Sequence, residues 1–482
     1  MNKTIRRASV FSLLLVLALL VRATWVQFYD GQALADDKDN RRNAIELYSE
    51  PLGNIIVGGD AVTGSAKTTS GDLAYKRTYE DGALYAAVTG YSSQVYGATQ
   101  LEGIYQDLLD GTDNRLKNVM DTITNKRASP GDVVTTIDPD VQKAAYEALG
   151  DKRGAAVAID PTTGRILAVV STPSYNPDEI TTGNSEVWNE LTKSEEKPMT
   201  NRALRQPLPP GSTFKLVVAA AALEDGLYPS VDEKTDSPDP YPLPQSSDEL
   251  TNENPSAPCE NASIRVALQY SCNNVFGKMA VDLGQDKVRE MAEKFGFNDA
   301  EQDVPVRAYE SVYPKDMDAP QTALSGIGQF DVTATPLQMA MVSAAIANGG
   351  KLVSPHMVSQ ITDSNGDTLE SYDDPSSKEI VSSSTAEQLE SAMQTVVDDG
   401  TGTNAQIDGA TVGGKTGTAQ HGENNSQTPY AWFTSYAKSD SNDKEVAVAV
   451  VVEQSDAARS EVSGNGLAAP VAKATMEAAL AD

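Results

Sequence analysis

Histidine and cysteine are nearly missing from this chain of 482 residues, which holds two of each: His356, His421, Cys259 and Cys272. A Cys/His zinc cluster, a Ser-His-Asp triad with histidines to spare and a disulfide-stapled miniprotein are therefore close to excluded. Nucleophilic chemistry in such a chain takes its base from something other than imidazole. Positive charge is short as well: 38 Lys and Arg stand against 68 Asp and Glu, a formal net charge of −30. A field of that sign repels phosphate backbones, so no nucleic acid partner is expected. A second long apolar run is also missing, which argues against a multi-span signalling protein. What remains is ordinary: 40% hydrophobic and 22% charged residues, enough chain for roughly three domain-equivalents and at least two cores.

The one long apolar run is at the start. Lys3, Arg6 and Arg7 precede an uncharged stretch from Ala8 to Val21, and Trp25, Phe28 and Tyr29 sit where an interfacial aromatic belt lies. This predicts a cytoplasmic tail at 1–7, a single-pass transmembrane anchor at 8–29 and everything later on the far side of the membrane. The alternative is a cleaved signal peptide, because Ala33-Leu34-Ala35 has the small residues of a cleavage site. Export leaves Cys259 and Cys272 free to form a disulfide or to stay as two separate thiols.

Residues 30–150 are polar and broken by Gly and Thr, with a strand signal at 131–138 and a helix from Val141 to Leu149 opened by Asp138-Pro139. The runs 154–160 and 165–171, joined by Pro161-Thr162-Thr163-Gly164, read as a hairpin that starts a second domain at about 151. The acidic, proline-spotted stretch from Val231 to Pro258 reads as a long loop. Ser384-Thr385-Ala386-Glu387 fits a capping box for a helix that Gly400 stops. Tyr430 to Ala437 and Glu445 to Glu453 read as adjacent strands, and Leu467 to Leu480 as a final amphipathic helix. Asp363-Ser364-Asn365-Gly366-Asp367 has some calcium-loop character but lacks the other ligands, so it reads as a hairpin turn.

Three short words carry chemistry. Ser212-Thr213-Phe214-Lys215 opens an apolar helical run, which puts a hydroxyl and an amine on one face of a first turn. Alone this is weak, since Ser-x-x-Lys also occurs at Ser194, Ser435 and Ser441. Ser271-Cys272-Asn273 and Lys415-Thr416-Gly417-Thr418 follow in order. That ordered triple resembles the signature shared by penicillin-binding proteins and class A β-lactamases. The words at Asn201-Arg202-Ala203, Pro173 to Pro177, Gly326 to Gln329, Thr335 to Ala340 and Ala431-Trp432-Phe433 extend the likeness. Together they resemble the class B penicillin-binding transpeptidases, and among these the anchored elongation or division enzymes of actinobacterial walls. Two positions depart from the pattern: Cys272 stands where Asp is usual, and Leu52-Gly53 where Arg-Gly is usual.

The resemblance implies an α/β chain with a serine β-lactamase-like transpeptidase domain, an antiparallel sheet flanked by helices, over 151–482. It implies an elongated α+β pedestal or dimerisation-type module over 30–150. Ser212 then forms an acyl-enzyme with a D-Ala-D-Ala stem peptide, and Lys215 takes its proton. To be neutral near pH 7 that lysine must fall about three units from ~10.4, or about 4 kcal/mol of environment. Ser271 relays a proton to the leaving amine, and Asn273 holds Lys215 and the substrate amide. Lys415, Thr416, Gly417 and Thr418 bind the terminal carboxylate, and the N–H groups of Ser212 and Thr418 form the oxyanion hole. No metal or cofactor is implied. β-Lactams are the expected inhibitors, and a SEDS-type membrane glycosyltransferase the expected partner. The rival readings are a β-lactamase, a D,D-carboxypeptidase and a non-catalytic β-lactam-binding scaffold or sensor. The first needs a Glu-x-x-Leu-Asn word between Ser271 and Lys415, and that word is absent.

Overall fold

The computed structural model describes residues 3–26, 29, 41–69, 73–117, 127–372, 375–422 and 425–481. Phe28 and the Ala33–Ala35 word lie outside the described residues. Lys3–Trp25 forms one helix with no buried residue, long and apolar enough to cross a membrane, with a mean hydropathy of 2.0 over its most apolar 18-residue stretch. It starts five residues before the apolar run because nothing in the basic segment breaks a helix. The Trp25 ring stacks on Tyr29 with centroids 4.5 Å apart.

A five-stranded sheet follows, built from both halves of the chain. Ile55–Val57 pairs antiparallel with Asp60–Ala61 and parallel with Asp132–Thr135, which pairs antiparallel with Val358–Thr362 and through it with Thr368–Ser371. Ile55, Val133 and Ile361 are cross-strand neighbours, each fully buried, so one apolar row binds the two halves. The Asp363–Asp367 turn closes the 358–371 hairpin. Its Asp363 carboxylate accepts the N–H groups of Asn365 and Asp367, the turn role expected of it.

The larger sheet is antiparallel throughout, in the order Ala410–Ala419, Tyr430–Ser439, Glu445–Gln454, Arg153–Ile159, Ile166–Thr172. Both faces are covered, which is why these strands read as nearly continuous apolar runs. Val448, Val450 and Val452 face the helices Pro139–Leu149 and Ala469–Leu480. Ala449, Val451 and Trp432 face a helical layer that includes Lys215–Glu224 and Pro336–Ala347. Every residue of Pro336–Ala347 is buried.

Two element ends differ from the sequence reading. The helix Ser383–Asp399 is capped by Ser382, whose hydroxyl accepts the Thr385 N–H, and not by Ser384. The carboxylate of Glu224 accepts the Ser382 N–H and hydroxyl, holding that residue outside the helix. The last helix runs Ala469–Leu480 because Gly464–Ala468 forms a wider π turn ahead of it.

Candidate active site

The segment leading to Ser212 is fixed by backbone contacts before any side chain acts. Leu208 and Ala334 exchange both N–H···O bonds, at 3.0 and 2.8 Å, and the Gly211 N–H donates to the Gly328 carbonyl at 3.1 Å. Both glycines have positive φ, 54° and 70°. A Cβ on Gly328 lands 2.0 Å from the Gly211 carbonyl oxygen, so only glycine lets the two backbones meet. Gly211–Phe214 then makes one tight turn into the helix Lys215–Glu224. Gly328→Ala is expected to push this turn aside and slow acylation about 100-fold, as for a 1 Å misplacement of a reacting group. Timed labelling with a fluorescent penicillin measures it, and a rate within threefold of the parent contradicts the argument.

Ser212 is half-buried, and its hydroxyl makes no hydrogen bond among the described residues. Lys215, one turn on, is fully buried. Its Nζ donates to the Ser271 carbonyl at 2.8 Å, to Asn273 Oδ1 at 2.8 Å and to Ser271 Oγ at 3.2 Å. Lys415, also fully buried, donates to the same Ser271 Oγ at 3.0 Å and to the Thr416 carbonyl at 3.0 Å. One hydroxyl thus bridges two lysines that lie 200 positions apart in the chain. Burial pushes the Lys215 amine well below the ordinary lysine range, and the charge of Lys415 adds to the fall. Burial brings Lys415 down to about 7, against the opposing pull of the Glu253 carboxylate.

Ser271 reaches this position with φ of 58°, a left-handed conformation that costs a non-glycine residue about 1–3 kcal/mol. The next residue is anchored covalently. Cys272 is bonded to Cys259, with Cα atoms 5.5 Å apart, which resolves the open question in favour of a bridge. Asn273 begins the helix Asn273–Leu283. Its N–H donates to Asn252 Oδ1 at 2.6 Å and its amide to the Thr251 carbonyl at 3.0 Å.

Ala410–Ala419 is an edge strand, and its far end packs on the Gly211–Phe214 turn. Gly417 makes that packing close, since a Cβ there stands 2.9 Å from the Pro210 carbonyl oxygen. Thr416 is held by Thr401, their hydroxyls 2.8 Å apart. Thr418 lines a cavity of ≈ 600 Å³ together with Glu253, Gln420, Arg459 and Val462. His421 lies just beyond, stacked on Tyr430 with centroids 3.9 Å apart and its Nε2 2.6 Å from the Thr428 carbonyl.

All five residues expected to do chemistry, and the three expected to bind substrate, belong to this one cleft region. The other Ser-x-x-Lys words do not: Ser435 donates to a strand carbonyl within the sheet and Lys438 pairs with Glu390. Asn252, Glu253, Thr401 and Arg459 were not singled out by the sequence. The first two lie in the stretch read only as a loop, where the one hint of a role is the nearby Cys259.

Comparison with known proteins agrees with the geometry. Residues 154–477 match the penicillin binding protein transpeptidase domain, and residues 52–133 the penicillin binding protein A dimerisation domain. Peptidoglycan D,D-transpeptidase PbpA of Mycolicibacterium smegmatis is 36% identical, over 100% of this chain and 99% of its own. The structure of penicillin-binding protein A from M. tuberculosis as a ceftriaxone acyl-enzyme complex superposes with a TM-score of 0.83 at 35% identity, covering 91% of this chain and 100% of that one. Pseudomonas aeruginosa PBP2 in complex with WCK 5153 gives 0.74 at 28% identity, over 90% and 97%. A buried Lys–Ser–Lys cluster beside a helix-start serine, on a fold shared with these proteins along nearly its whole length, places this chain in the class B penicillin-binding transpeptidase family.

Proposed function

We propose that the chain is a peptidoglycan D,D-transpeptidase acylated by β-lactams at Ser212. The observation that carries this reading is Ser271 Oγ held by both Lys215 and Lys415 next to the Ser212 turn. Neutral Lys215 takes the Ser212 proton as Oγ attacks the carbonyl carbon between the two D-Ala residues of a stem peptide. The N–H groups of Ser212 and Thr418 receive the developing oxyanion, each donor worth about 3 kcal/mol in comparable sites. As the C–N bond breaks, the proton passes from Lys215 through Ser271 to the leaving D-Ala amine. Asn273 holds Lys215 through that relay. Lys415, Thr416 and Thr418 bind the terminal carboxylate, with Gly417 letting the strand approach. An amine of a second stem peptide then displaces Ser212 and forms the crosslink.

Intact-mass analysis after brief exposure to a penicillin tests this. One adduct, mapped to the Ser212 peptide and lasting for many minutes, is expected. Rapid turnover of the adduct favours a β-lactamase, and an adduct elsewhere removes Ser212 from the mechanism.

The same reading divides the chain into a tail at 1–7, an anchor at 8–29, a pedestal at 30–150 and a catalytic domain at 151–482. Lys3, Arg6 and Arg7 in the first turns of Lys3–Trp25 and the exposed apolar surface that follows them support a single-pass orientation with the cleft outside. A SEDS-type glycosyltransferase supplies the glycan strands. Its co-purification with the full chain should be lost on exchanging residues 1–150 in a variant that still labels with penicillin. Co-purification that survives the exchange counts against that partner.

A further inference from the structure

Glu253 is an acidic residue lining a cavity next to two buried lysines. We infer that Glu253 is the specificity-determining residue for the acceptor, recruiting a cationic amine to the acyl-enzyme in preference to neutral nucleophiles. This rests on the Ser212 reading above. Three observations support it.

The first is construction. The stretch 251–253 is stapled to the Asn273–Leu283 helix by bonds from Asn273 to Thr251 and Asn252, and by Asn252 Nδ2 donating to Asn274 Oδ1 at 3.0 Å. Asn274 in turn donates to the carbonyls of Ser237, Pro238 and Cys259, and Cys259 is bonded to Cys272. The backbone next to Glu253 is thus tied at several points beside the cavity that the residue lines.

The second is that its carboxylate makes no hydrogen bond or salt bridge among the described residues, although a guanidinium lines the same cavity. Arg459 is committed elsewhere: its N–H groups go to the carbonyls of Ser426, Gln427 and Asn425 and to Gln420 Oε1. Glu253 therefore keeps its charge for what enters.

The third is electrostatic need. Lys415, when charged, makes the floor of the site repel an ammonium, and the Glu253 carboxylate acts on both buried lysines from the cavity side. An amine acceptor arrives largely as R–NH3⁺. It gives up one proton to water beside the carboxylate, and the free amine attacks the Ser212 ester carbon. A C–N bond forms, the C–Oγ bond breaks, and the second proton returns through Lys215 to Ser212 Oγ. The carboxylate lowers the cost of bringing the cation to that point.

The test uses the full chain, an acyl-D-alanyl thioester as donor and two competing acceptors, glycinamide and methanol. Products are counted by mass spectrometry. In Glu253→Gln the amide-to-methyl-ester ratio should fall about fivefold, mostly through a raised KM for glycinamide, and Glu253→Asp should recover much of it. High salt should lower the ratio in the parent and should not lower it in the Gln variant, where only the repulsion is left to screen. A ratio equal to the parent's in Glu253→Gln overturns the assignment. Failure of the parent to form any acyl-enzyme instead overturns the Ser212 reading beneath it.

Discussion

Replacing Lys215 with alanine should slow acylation of Ser212 by a penicillin about 10³- to 10⁴-fold. General-base transfer of this kind contributes up to about that factor, and the groups act as one unit. Alanine also deletes three hydrogen bonds, to Ser271 Oγ, the Ser271 carbonyl and Asn273, so a purely structural loss needs its own control. Lys215→Arg supplies one, because a guanidinium donates hydrogen bonds but does not deprotonate in proteins. It should be as slow as the alanine variant; a rate within tenfold of the parent removes Lys215 from the base role. The pH profile gives an independent check. Burial and a neighbouring cation both lower Lys215, while Lys415 falls to about 7. The two titrate as a pair, and the first proton leaves chiefly from Lys215. Acylation should rise with pH as that proton leaves and fall above about 7 as Lys415 loses the charge proposed to bind a carboxylate. In Lys415→Met the cationic neighbour is gone, so the rising limb should move to higher pH. A limb that stays in place means the two lysines do not sense one another.

Much of this site was legible because its chemistry is written in residue order. Ser212, Lys215, Ser271, Asn273 and Lys415 sit in short words whose sequence order marks the family. The strands around them show as apolar runs because both faces of the sheet are buried. The pairing of Asp132–Thr135 with Val358–Thr362 left no such mark: strand partners more than 200 residues apart share neither a turn nor a periodicity. Asn252 and Glu253 were hidden for another reason. Their position depends on side-chain bonds to Asn273 and Asn274 and on the Cys259–Cys272 bridge, while their own segment has only the composition of a loop. The Ser384 capping box failed because Glu224, from a distant helix, selects Ser382 instead. Local patterns were reliable wherever local forces decided, and tertiary hydrogen bonds won elsewhere.

Arg77→Met should cost about 3–5 kcal/mol of folding free energy, the penalty for leaving one member of a buried ion pair alone. Arg77 is fully buried, with Nε 2.6 Å from Glu102 Oε1 and both side chains within 1% of complete burial. Its other N–H groups donate to the Gly53 carbonyl at 2.7 Å and to Thr63 Oγ1 at 2.9 Å. The Gly53 contact is at the word where the family's usual arginine is Leu52 here, so a guanidinium from a neighbouring strand reaches the backbone of that word. Methionine fills similar volume but satisfies none of these acceptors, and it leaves the buried Glu102 without its cationic partner. Chemical denaturation followed by tryptophan fluorescence and circular dichroism measures the loss. The pair Arg77→Met and Glu102→Leu separates two explanations: if the cost is an unpaired buried charge, the double variant should regain most of the stability lost by the single one. Additive losses instead show that the guanidinium serves mainly as a donor to Gly53 and Thr63. The effect should also reach past the first module, because Asp132–Thr135 and Val358–Thr362 share a sheet with Ile55–Val57. Penicillin labelling at Ser212 should then fail at a lower denaturant concentration in Arg77→Met than in the parent, although Arg77 touches none of the catalytic groups.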